Sequence, residues 1–266
     1  MKNSKIAWTD HTFNPWWGCM KVSPGCHHCY AETFAKRVGW TDIWGNAAWN
    51  RRRPMSADYW RQPLKWNQAA INAEKPPRVF CASMADVFED RRDLDTWRDK
   101  LWALIEMTQN LDWLLLTKRP ENIQRLLPNR WTFFSGGHAF VPENVWMLTT
   151  TENQEQLNKR VPYLIDTPTQ VHGISVEPML EPISLYYNQG DIDWVICGGE
   201  SGPGARPMDL AWARDLRDQC KAYRIPFFMK QLGSATMRAM GKTGKGDALD
   251  DLPEDLRIRE FPSSEY

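Results

Sequence analysis

The sequence lacks a long apolar run and an excess of charge of either sign, and its first residues are polar rather than apolar. No stretch of about 18 apolar residues occurs, which predicts that the chain has no transmembrane helix. The first residues, MKNSKIAWTD, are polar, so we expect no secretory signal and a cytoplasmic location. The 33 basic and 33 acidic residues cancel. This balance excludes a uniformly basic nucleic-acid-binding protein, although a local basic groove stays compatible with it.

The sequence also lacks a phosphate-binding loop and a dense cysteine framework. The pattern G-x-x-x-x-G-K-[ST] is missing, so a P-loop is excluded. Six cysteines in 266 residues are too sparse for a disulfide scaffold, and clustered cysteines in such a chain favour a metal site. What remains is an ordinary globular composition, 42% apolar and 25% charged, with an unusual 15 tryptophans.

Short apolar runs alternate along the chain with longer amphipathic stretches. The runs are almost continuously hydrophobic, which is typical of strands that are buried on both faces of a parallel sheet. A further strand is expected to begin at 6–9. The six clearest runs are 78–83, 112–117, 144–150, 171–176, 193–198 and 226–230.

This alternation predicts an α/β fold, namely a full or partial parallel (β/α) barrel. A doubly wound open sheet is the alternative. We expect a single barrel domain over 1–232, with an insertion rich in tryptophan and arginine at about 40–68. The segment 233–266 is rich in Gly, Asp and Lys, and is expected to form an irregular C-terminal tail or lid.

Polar residues follow nearly every predicted strand, at the ends where ligands gather in parallel α/β folds. Glu152, Glu177 and Glu200 occupy equivalent strand ends, so we expect them to converge on one cavity. The glycines of 198–206 (GGESGPGAR) would allow the backbone to approach a ligand closely. Four cations are candidates for binding anionic groups: Lys118, Arg119, Arg206 and Lys230.

Three of the six cysteines lie within one segment, GCMKVSPGCHHCYAE at 18–32. Cys19, Cys26 and Cys29 follow the pattern C-x6-C-x2-C. Three thiolates on one loop suit three irons of a cubane cluster whose fourth iron stays open. A zinc site completed by His11, His27 or His28 is an alternative, and free structural thiols are a third. The other cysteines, Cys81, Cys197 and Cys220, are expected to be core residues.

The cysteine segment, followed by polar strand ends in an α/β barrel, resembles the radical S-adenosylmethionine superfamily. The usual spacing there is C-x3-C-x2-C, with an aromatic residue after the last cysteine. Cys26, Cys29 and Tyr30 match this pattern, whereas six residues separate Cys19 from Cys26.

A second resemblance covers nearly the whole chain. The chain is similar to phage- and prophage-associated three-cysteine-motif proteins of unknown function. The segments that carry this resemblance are WTDHTFNPWWGCMKVSPGCHHCYAE, SMADVF, LLLTKRPENI, ISVEPML and WVICGGESGPGARPMDLAWARDLRDQC.

The superfamily resemblance implies two cofactors, a 4Fe-4S cluster held by Cys19, Cys26 and Cys29, and S-adenosylmethionine. The open iron would bind the amino and carboxylate groups of S-adenosylmethionine, and reduction would release a 5′-deoxyadenosyl radical. The implied cofactor-binding residues are Tyr30, Ser83, Asp86, Thr150, Glu152, Ser175 and Glu177. The expected substrate-binding residues are Lys118, Arg119, Glu200, Ser201, Arg206 and Lys230.

The resemblance and the tryptophan-rich insertion together suggest a substrate class. Tryptophans and arginines interleave over 40–66, as platforms for stacked bases and phosphates do. A packing role for these tryptophans is the alternative. We therefore expect a radical enzyme that modifies a nucleic-acid base or nucleotide, with an external electron donor and a phage-encoded partner protein. The competing functions are a zinc-bearing, non-catalytic nucleic-acid-binding or adaptor protein, and an iron–sulfur hydrolase or lyase.

Overall fold

The computed structural model describes residues 1–45, 50–132, 141–186 and 190–263. These residues contain nine β-strands, most of them short. The strands are β1 His11–Thr12, β2 Trp16–Trp17, β3 Arg53–Pro54, β4 Arg78–Cys81, β5 Asp112–Thr117, β6 Val145–Thr150, β7 Val171–Val176, β8 Trp194–Gly198 and β9 Phe227–Gln231.

Seven strands form one sheet in the order β1-β4-β5-β6-β7-β8-β9, and β2 and β3 form a separate antiparallel ribbon. The pairs β1–β4, β4–β5, β7–β8 and β8–β9 are parallel. Their order follows the chain without the reversal that defines a doubly wound sheet. The predicted α/β fold with a barrel-type parallel sheet is therefore confirmed, in its partial form with β1 and β9 as edges.

The six predicted apolar runs coincide with β4 to β9 to within two residues at each end. The first strand is the exception, because it lies at His11–Thr12 rather than at 6–9. The Thr9 hydroxyl donates to the carbonyl oxygen of Arg78 at 2.8 Å and accepts the amide of Phe80 at 3.1 Å. Backbone pairing with β4 begins at Asp10, whose amide donates to the carbonyl oxygen of Arg78 at 3.0 Å, because the amide of Thr9 donates to Ile6 in a turn.

Nine α-helices lie in the described ranges, and none of them is both long and apolar enough to span a membrane. The helices are α1 Tyr30–Arg37, α2 Ala57–Trp60, α3 Gln62–Ala69, α4 Asp95–Glu106, α5 Ile123–Leu126, α6 Asn129–Thr132, α7 Gln154–Ile165, α8 Leu210–Tyr223 and α9 Ser234–Ala239. The sequence predicts helices in the amphipathic stretches 93–109, 121–127, 152–165 and 210–223, and these contain α4, α5, α7 and α8.

The chain divides into two compact units. The first comprises Met1–Lys21, Ala31–Met147 and Asp166–Gln170, and the second comprises Val22–Tyr30, Leu148–Ile165 and Val171–Tyr266. The expected division into a barrel at 1–232 and a tail at 233–266 stays a prediction.

Aromatic side chains build much of the core of the first unit. Phe13 has no exposed surface and is surrounded by the rings of Tyr59, Trp60 and Trp113, at centroid distances of 5.2, 5.3 and 5.7 Å. Trp66 is buried and stacks on the ring of His11 at 4.5 Å. Two tryptophans of the predicted insertion are therefore packing residues. Another tryptophan of that insertion, Trp49, lies outside the described residues.

In the second unit, the described part of the C-terminal tail packs against β8 and β9. The ring of Phe261 lies 5.4 Å from Trp194 and 5.2 Å from Phe228. The indole nitrogen of Trp194 donates to the carbonyl oxygen of Glu260 at 2.9 Å. The tail as far as 263 thus contributes apolar surface to the core of this unit.

A buried ion pair anchors the insertion within the first unit. The Arg52 side chain is 1% exposed, and its guanidinium donates to both oxygens of Glu89, at 2.8 and 2.6 Å. The same guanidinium donates to the carbonyl oxygens of Ile43 and Gly45 at 2.7 and 3.0 Å. Both charged groups have lost their hydration, and the attraction between them offsets part of that loss. Removal of either partner would leave the other as an uncompensated buried charge.

We predict that Arg52→Met lowers the free energy of unfolding by about 3–5 kcal/mol, because Glu89 would stay buried without its cation. Urea denaturation measures this change. The matched control is Arg51→Met, since Arg51 is exposed, and it should alter stability by less than about 0.5 kcal/mol. Equal losses of stability in the two variants would contradict the structural role of Arg52.

Candidate functional site

The six cysteines, all of which lie among the described residues, fall into two environments, and none of them is in a disulfide. Cys19, Cys26 and Cys29 are half-buried. The other three are fully buried, as predicted, and burial raises the pKa of each of these thiols, for Cys220 to about 12. The buried cysteines are Cys81, Cys197 and Cys220. The accessible thiols are therefore concentrated in the cysteine segment.

The cysteine segment starts at Gly18, directly after β2. Gly18 has a φ of 113° and its amide donates to the carbonyl oxygen of Met84 at 3.0 Å. A Cβ at this position would clash with the carbonyl oxygen of Ile43. Glycine is thus required for both the backbone conformation and the close approach. The contact with Met84 ties the start of the segment to the residues that follow β4.

Residues that follow β4 and β5 hold the first cysteine, Cys19. The guanidinium nitrogens of Arg119 lie 3.6 and 3.8 Å from the Cys19 sulfur, and one of them donates to the carbonyl oxygen of Met20 at 2.6 Å. The Asp86 carboxylate accepts from Arg119 at 2.7 Å. Burial raises the pKa of the Cys19 thiol to about 12, while Arg119 acts in the opposite direction. The group places a buried cation against the thiol.

Asp86 is itself oriented by neighbours from the same two strand ends. Its carboxylate accepts the Thr117 hydroxyl at 2.8 Å and the amides of Phe88 and Lys118 at 3.0 and 3.1 Å. A carboxylate with this many donors is held in one position. Of the predicted site residues, the structure therefore brings Asp86, Lys118 and Arg119 together with Cys19.

The second unit holds the later part of the cysteine segment through Glu152. Its carboxylate has no exposed surface and accepts the amide of Gly25 at 2.9 Å and Arg160 at 2.7 Å. Arg160 also donates to the carbonyl oxygen of Thr150 at 2.7 Å. A Cβ at Gly25 would lie only 3.0 Å from the Glu152 side chain, so the approach requires glycine. Glu152 thus joins the end of β6 to the cysteine segment.

Glu200 and Arg206 form a second contact with the same stretch. Arg206 donates to both carboxylate oxygens of Glu200, at 2.5 and 3.0 Å, and to the carbonyl oxygen of Pro24 at 3.0 Å. His28 Nδ1 lies 2.9 Å from Glu200 Oε2. Burial acts to raise the pKa of Glu200, but the hydrogen bonds from Arg206 and His28 outweigh it and leave this pKa lowered. Two residues expected to bind substrate, Glu200 and Arg206, therefore contact the cysteine segment.

The remaining predicted site residues occupy less connected positions. Glu177 forms an ion pair with Lys230, so the three expected glutamates each have a different basic partner. Thr150 and Ser175 are buried, Ser201 is half-buried and Tyr30 is 53% exposed at the start of α1. Ser83 forms hydrogen bonds with the side chain of Asn14 at 3.2 and 3.3 Å. Convergence of the glutamates on one cavity, and the binding roles of all these residues, stay predictions.

Sequence reasoning missed Asn14 and Arg160, and it considered His28 as a zinc ligand but not as a partner of Glu200. Arg160 carried a signal, because it lies on α7 among Leu157, Val161 and Leu164, which form the buried face. A charged residue in such a position needs a buried partner. Nothing comparable marked Asn14 or His28, whose partners are far away in sequence.

The cysteine segment supplies three half-buried thiols, the donors that iron–sulfur clusters prefer, and both the predicted cluster and the alternative zinc ion stay predictions. No three His, Cys, Asp or Glu side chains among the described residues converge as the ligands of one ion must. Two of the histidines considered for zinc have other partners, since His11 stacks on Trp66 and His28 contacts Glu200. The ligands of a cubane cluster each bind a different iron and lie around the cluster, so they do not meet at one point.

A family model described as a protein of unknown function (DUF5131) matches residues 3–256 of this chain. The chain belongs to this family. No curated protein matches the chain.

Among solved structures, the chain is similar to spore photoproduct lyase. A cysteine-to-serine mutant of that enzyme is 14% identical, with 84% of this chain and 75% of that chain covered and a TM-score of 0.48. A double mutant with bound AdoMet and dinucleoside spore photoproduct gives the same identity, coverage and TM-score. At such values the fold class rests on the strand order of this chain and not on the similarity.

We predict that Glu152→Gln lowers the free energy of unfolding by about 3–5 kcal/mol, because Arg160 would lose its buried counter-charge. The amide of Gly25 should also exchange its hydrogen faster, since a neutral acceptor binds it less strongly. Urea denaturation and hydrogen exchange measure the two effects. Glu155→Gln is the matched control on the exposed side of α7. Unchanged exchange at Gly25 in Glu152→Gln would show that this contact does not hold the segment.

Proposed function

We propose that this protein is a radical S-adenosylmethionine iron–sulfur enzyme that modifies a nucleic-acid base or nucleotide. One observation carries the proposal: three half-buried thiols that are in no disulfide lie within eleven residues of one segment, and acid–arginine pairs hold the segment. The segment follows the first strand of a parallel sheet that is wound in chain order. Free structural thiols would not require such supports.

Cys19, Cys26 and Cys29 would hold the 4Fe-4S cluster. When bound, the cluster and S-adenosylmethionine would supply one-electron chemistry that ends in a 5′-deoxyadenosyl radical. The residues of the chain would contribute positive charge near the thiolates and would hold the cysteine segment in position. Arg119 places positive charge beside the Cys19 sulfur, which favours its thiolate form and balances the negative charge of a thiolate-bound cluster.

The carboxylate–arginine pairs of the second unit would limit the motion of the segment around Cys26 and Cys29. Glu152 binds the Gly25 amide, and Arg206 binds the Pro24 carbonyl oxygen. Polar residues would bind S-adenosylmethionine, and basic residues would bind its carboxylate or a substrate phosphate. The polar residues are Tyr30, at the start of α1, and the strand-end residues Ser83, Asp86, Thr150, Ser175 and Glu177. The basic residues are Lys118 and Lys230.

The substrate class rests on aromatic and basic side chains beside the cysteine segment. Trp17 and Trp40 are half-buried, and Arg53 is exposed. Such groups suit stacked bases and phosphates. The reaction would need an external electron donor. A cytoplasmic location, an association with phages and a phage-encoded partner protein are further parts of this proposal, and they rest on the sequence resemblance.

We predict that the protein, reconstituted with iron and sulfide without air, carries iron and labile sulfide and cleaves S-adenosylmethionine to 5′-deoxyadenosine when reduced. Cys26→Ala and Cys29→Ala should lose most of the iron, because each removes a ligand that no other thiol replaces. Cys220→Ala is the control, since Cys220 is buried in the core. Iron analysis and chromatography of the cleavage product measure these results.

The outcomes separate the competing functions. Stoichiometric zinc without iron would support the non-catalytic zinc-bearing protein and overturn the proposal. A stable cluster that never yields 5′-deoxyadenosine would favour an iron–sulfur hydrolase or lyase. Equal iron content in Cys26→Ala and Cys220→Ala would remove the cysteine segment from the ligand set.

A further inference from the structure

A cluster of aromatic rings and one arginine lies on the surface of the first unit, next to the first cysteine in sequence. We call it the tryptophan–arginine platform, and it consists of Trp17, Phe34, Trp40 and Arg53. The rings of Trp17 and Trp40 are 4.7 Å apart, and those of Trp17 and Phe34 are 5.7 Å apart. The guanidinium carbon of Arg53 lies 3.8 Å from the centre of the Trp40 ring.

Regular backbone structure positions half of the platform. Trp17 and Arg53 are directly paired residues of the antiparallel ribbon β2–β3, so their side chains lie on the same face of the ribbon. Trp16 is fully buried, whereas Trp17 is half-exposed. Of the three arginines at 51–53, Arg52, directly before β3, is buried, whereas Arg51 and Arg53 are exposed.

The C-terminus of α1 positions the other half. Gly39 has a φ of 83°, its amide donates to Lys36 O at 3.1 Å, and the amide of Trp40 donates to Ala35 O at 2.8 Å. These two bonds and the left-handed glycine define a Schellman motif. The motif reverses the chain and returns Trp40 towards the ribbon. Phe34, one turn before the helix end, is 44% exposed.

The platform lies at the surface, with Phe34 and Arg53 exposed and Trp17 and Trp40 half-buried. Most of the other tryptophans are instead buried in the core. Trp60 and Trp66, which belong to the same tryptophan-rich stretch, are each only 4% exposed. A cluster of aromatic rings that stays at the surface is a common mark of a binding surface. The tryptophans that are fully buried elsewhere are Trp8, Trp16, Trp102, Trp113 and Trp194.

The charge of this region indicates the kind of ligand. The stretch 30–54 contains five basic and two acidic residues, although the whole chain is neutral. Glu32 is paired with Lys21 and Lys36, whereas the salt bridges found in the described residues include neither Arg51 nor Arg53. Because Arg53 already covers one face of Trp40, the surface attracts an anionic planar ligand and disfavours a cationic one.

We infer that the tryptophan–arginine platform binds an unpaired base of a single-stranded polynucleotide by stacking, with the neighbouring phosphates held by Arg51 and Arg53. Every base presents a π-face to such a surface, and arginine serves both as a stacking plane and as a phosphate ligand. A base in a duplex has its faces covered, so the platform selects unpaired strands. The inference rests on the proposed function for its substrate class, but binding is measurable independently of the reaction.

The test is the affinity of the full chain for a fluorescently labelled single-stranded DNA of mixed sequence, measured by fluorescence anisotropy at fixed salt. Trp40→Ala should weaken binding about tenfold or more, because one base would lose its stacking partner. Trp97→Ala is the matched control, since Trp97 is also half-buried and lies near a lysine, Lys100, but outside the platform. It should change the affinity by less than about twofold.

A second variant, Arg53→Gln, keeps the inference testable if Trp40→Ala fails to fold, because Arg53 is exposed. It should weaken binding and reduce the slope of log affinity against log salt by about 0.7, the value for one lost phosphate contact on a single strand. Arg61→Gln, at an exposed arginine paired with Asp58, should leave the slope unchanged. Equal slopes in Arg53→Gln and the wild type would overturn the role of Arg53.

Competitors define the ligand class. Unlabelled single-stranded DNA or RNA of the same sequence should compete well, and the better of the two identifies the natural polymer. Duplex DNA or a mononucleotide that competes equally well would overturn the inference. A chain that binds iron and cleaves S-adenosylmethionine but shows no binding dependent on Trp40 would refute the platform alone. If DNA binding depends on Trp40 but the protein takes up no iron when it is reconstituted, the proposed reaction alone would be refuted.

Discussion

A carboxylate that has lost all its water is tolerated only where charge and hydrogen bonds replace that water. The carboxylate of Glu152 is such a group. Two donors take the place of its water: the amide of Gly25, in the cysteine segment, and the guanidinium of Arg160, on α7. The position of the segment and the burial of the carboxylate therefore depend on each other. A buried ion pair adds little stability compared with apolar residues of the same volume. Its value in this protein is that it defines where the backbone around Pro24 and Gly25 lies.

The same physical constraint recurs at other strand ends. Asp86 with Arg119, and Glu200 with Arg206, are acid–base pairs that also contact backbone of the cysteine segment. Much of the charge near the segment is consumed by such pairs. The neutral composition of the chain thus includes charged groups that form matched pairs, whereas the salt bridges among the described residues include neither Arg51 nor Arg53.

The sequence predicted the strands well because buried parallel strands are continuous apolar runs, and this signal is local. It also predicted the cysteine segment, since the spacing of its thiols is a property of eleven consecutive residues. The first strand was misplaced because the amide of Thr9 bonds to Ile6 in a turn, so that pairing with β4 begins only at Asp10, and no local pattern shows this. Arg160, and His28 as the partner of Glu200, were missed for a related reason. Their contacts join residues that lie 8 and 172 positions apart.

By itself, the sequence determined the order of strands and helices, the clustering of three thiols and the excess of tryptophan. These features depend only on composition and on short-range spacing in the sequence, and both are the same in every conformation of the chain. Only the tertiary structure decided which tryptophans are core and which remain at the surface, and which arginine of 51–53 is buried. It also decided that the three strand-end glutamates pair with basic residues, and that Glu152 and Glu200 contact the cysteine segment. Burial and pairing depend on distant residues meeting in space, and this meeting is a property of the folded chain alone.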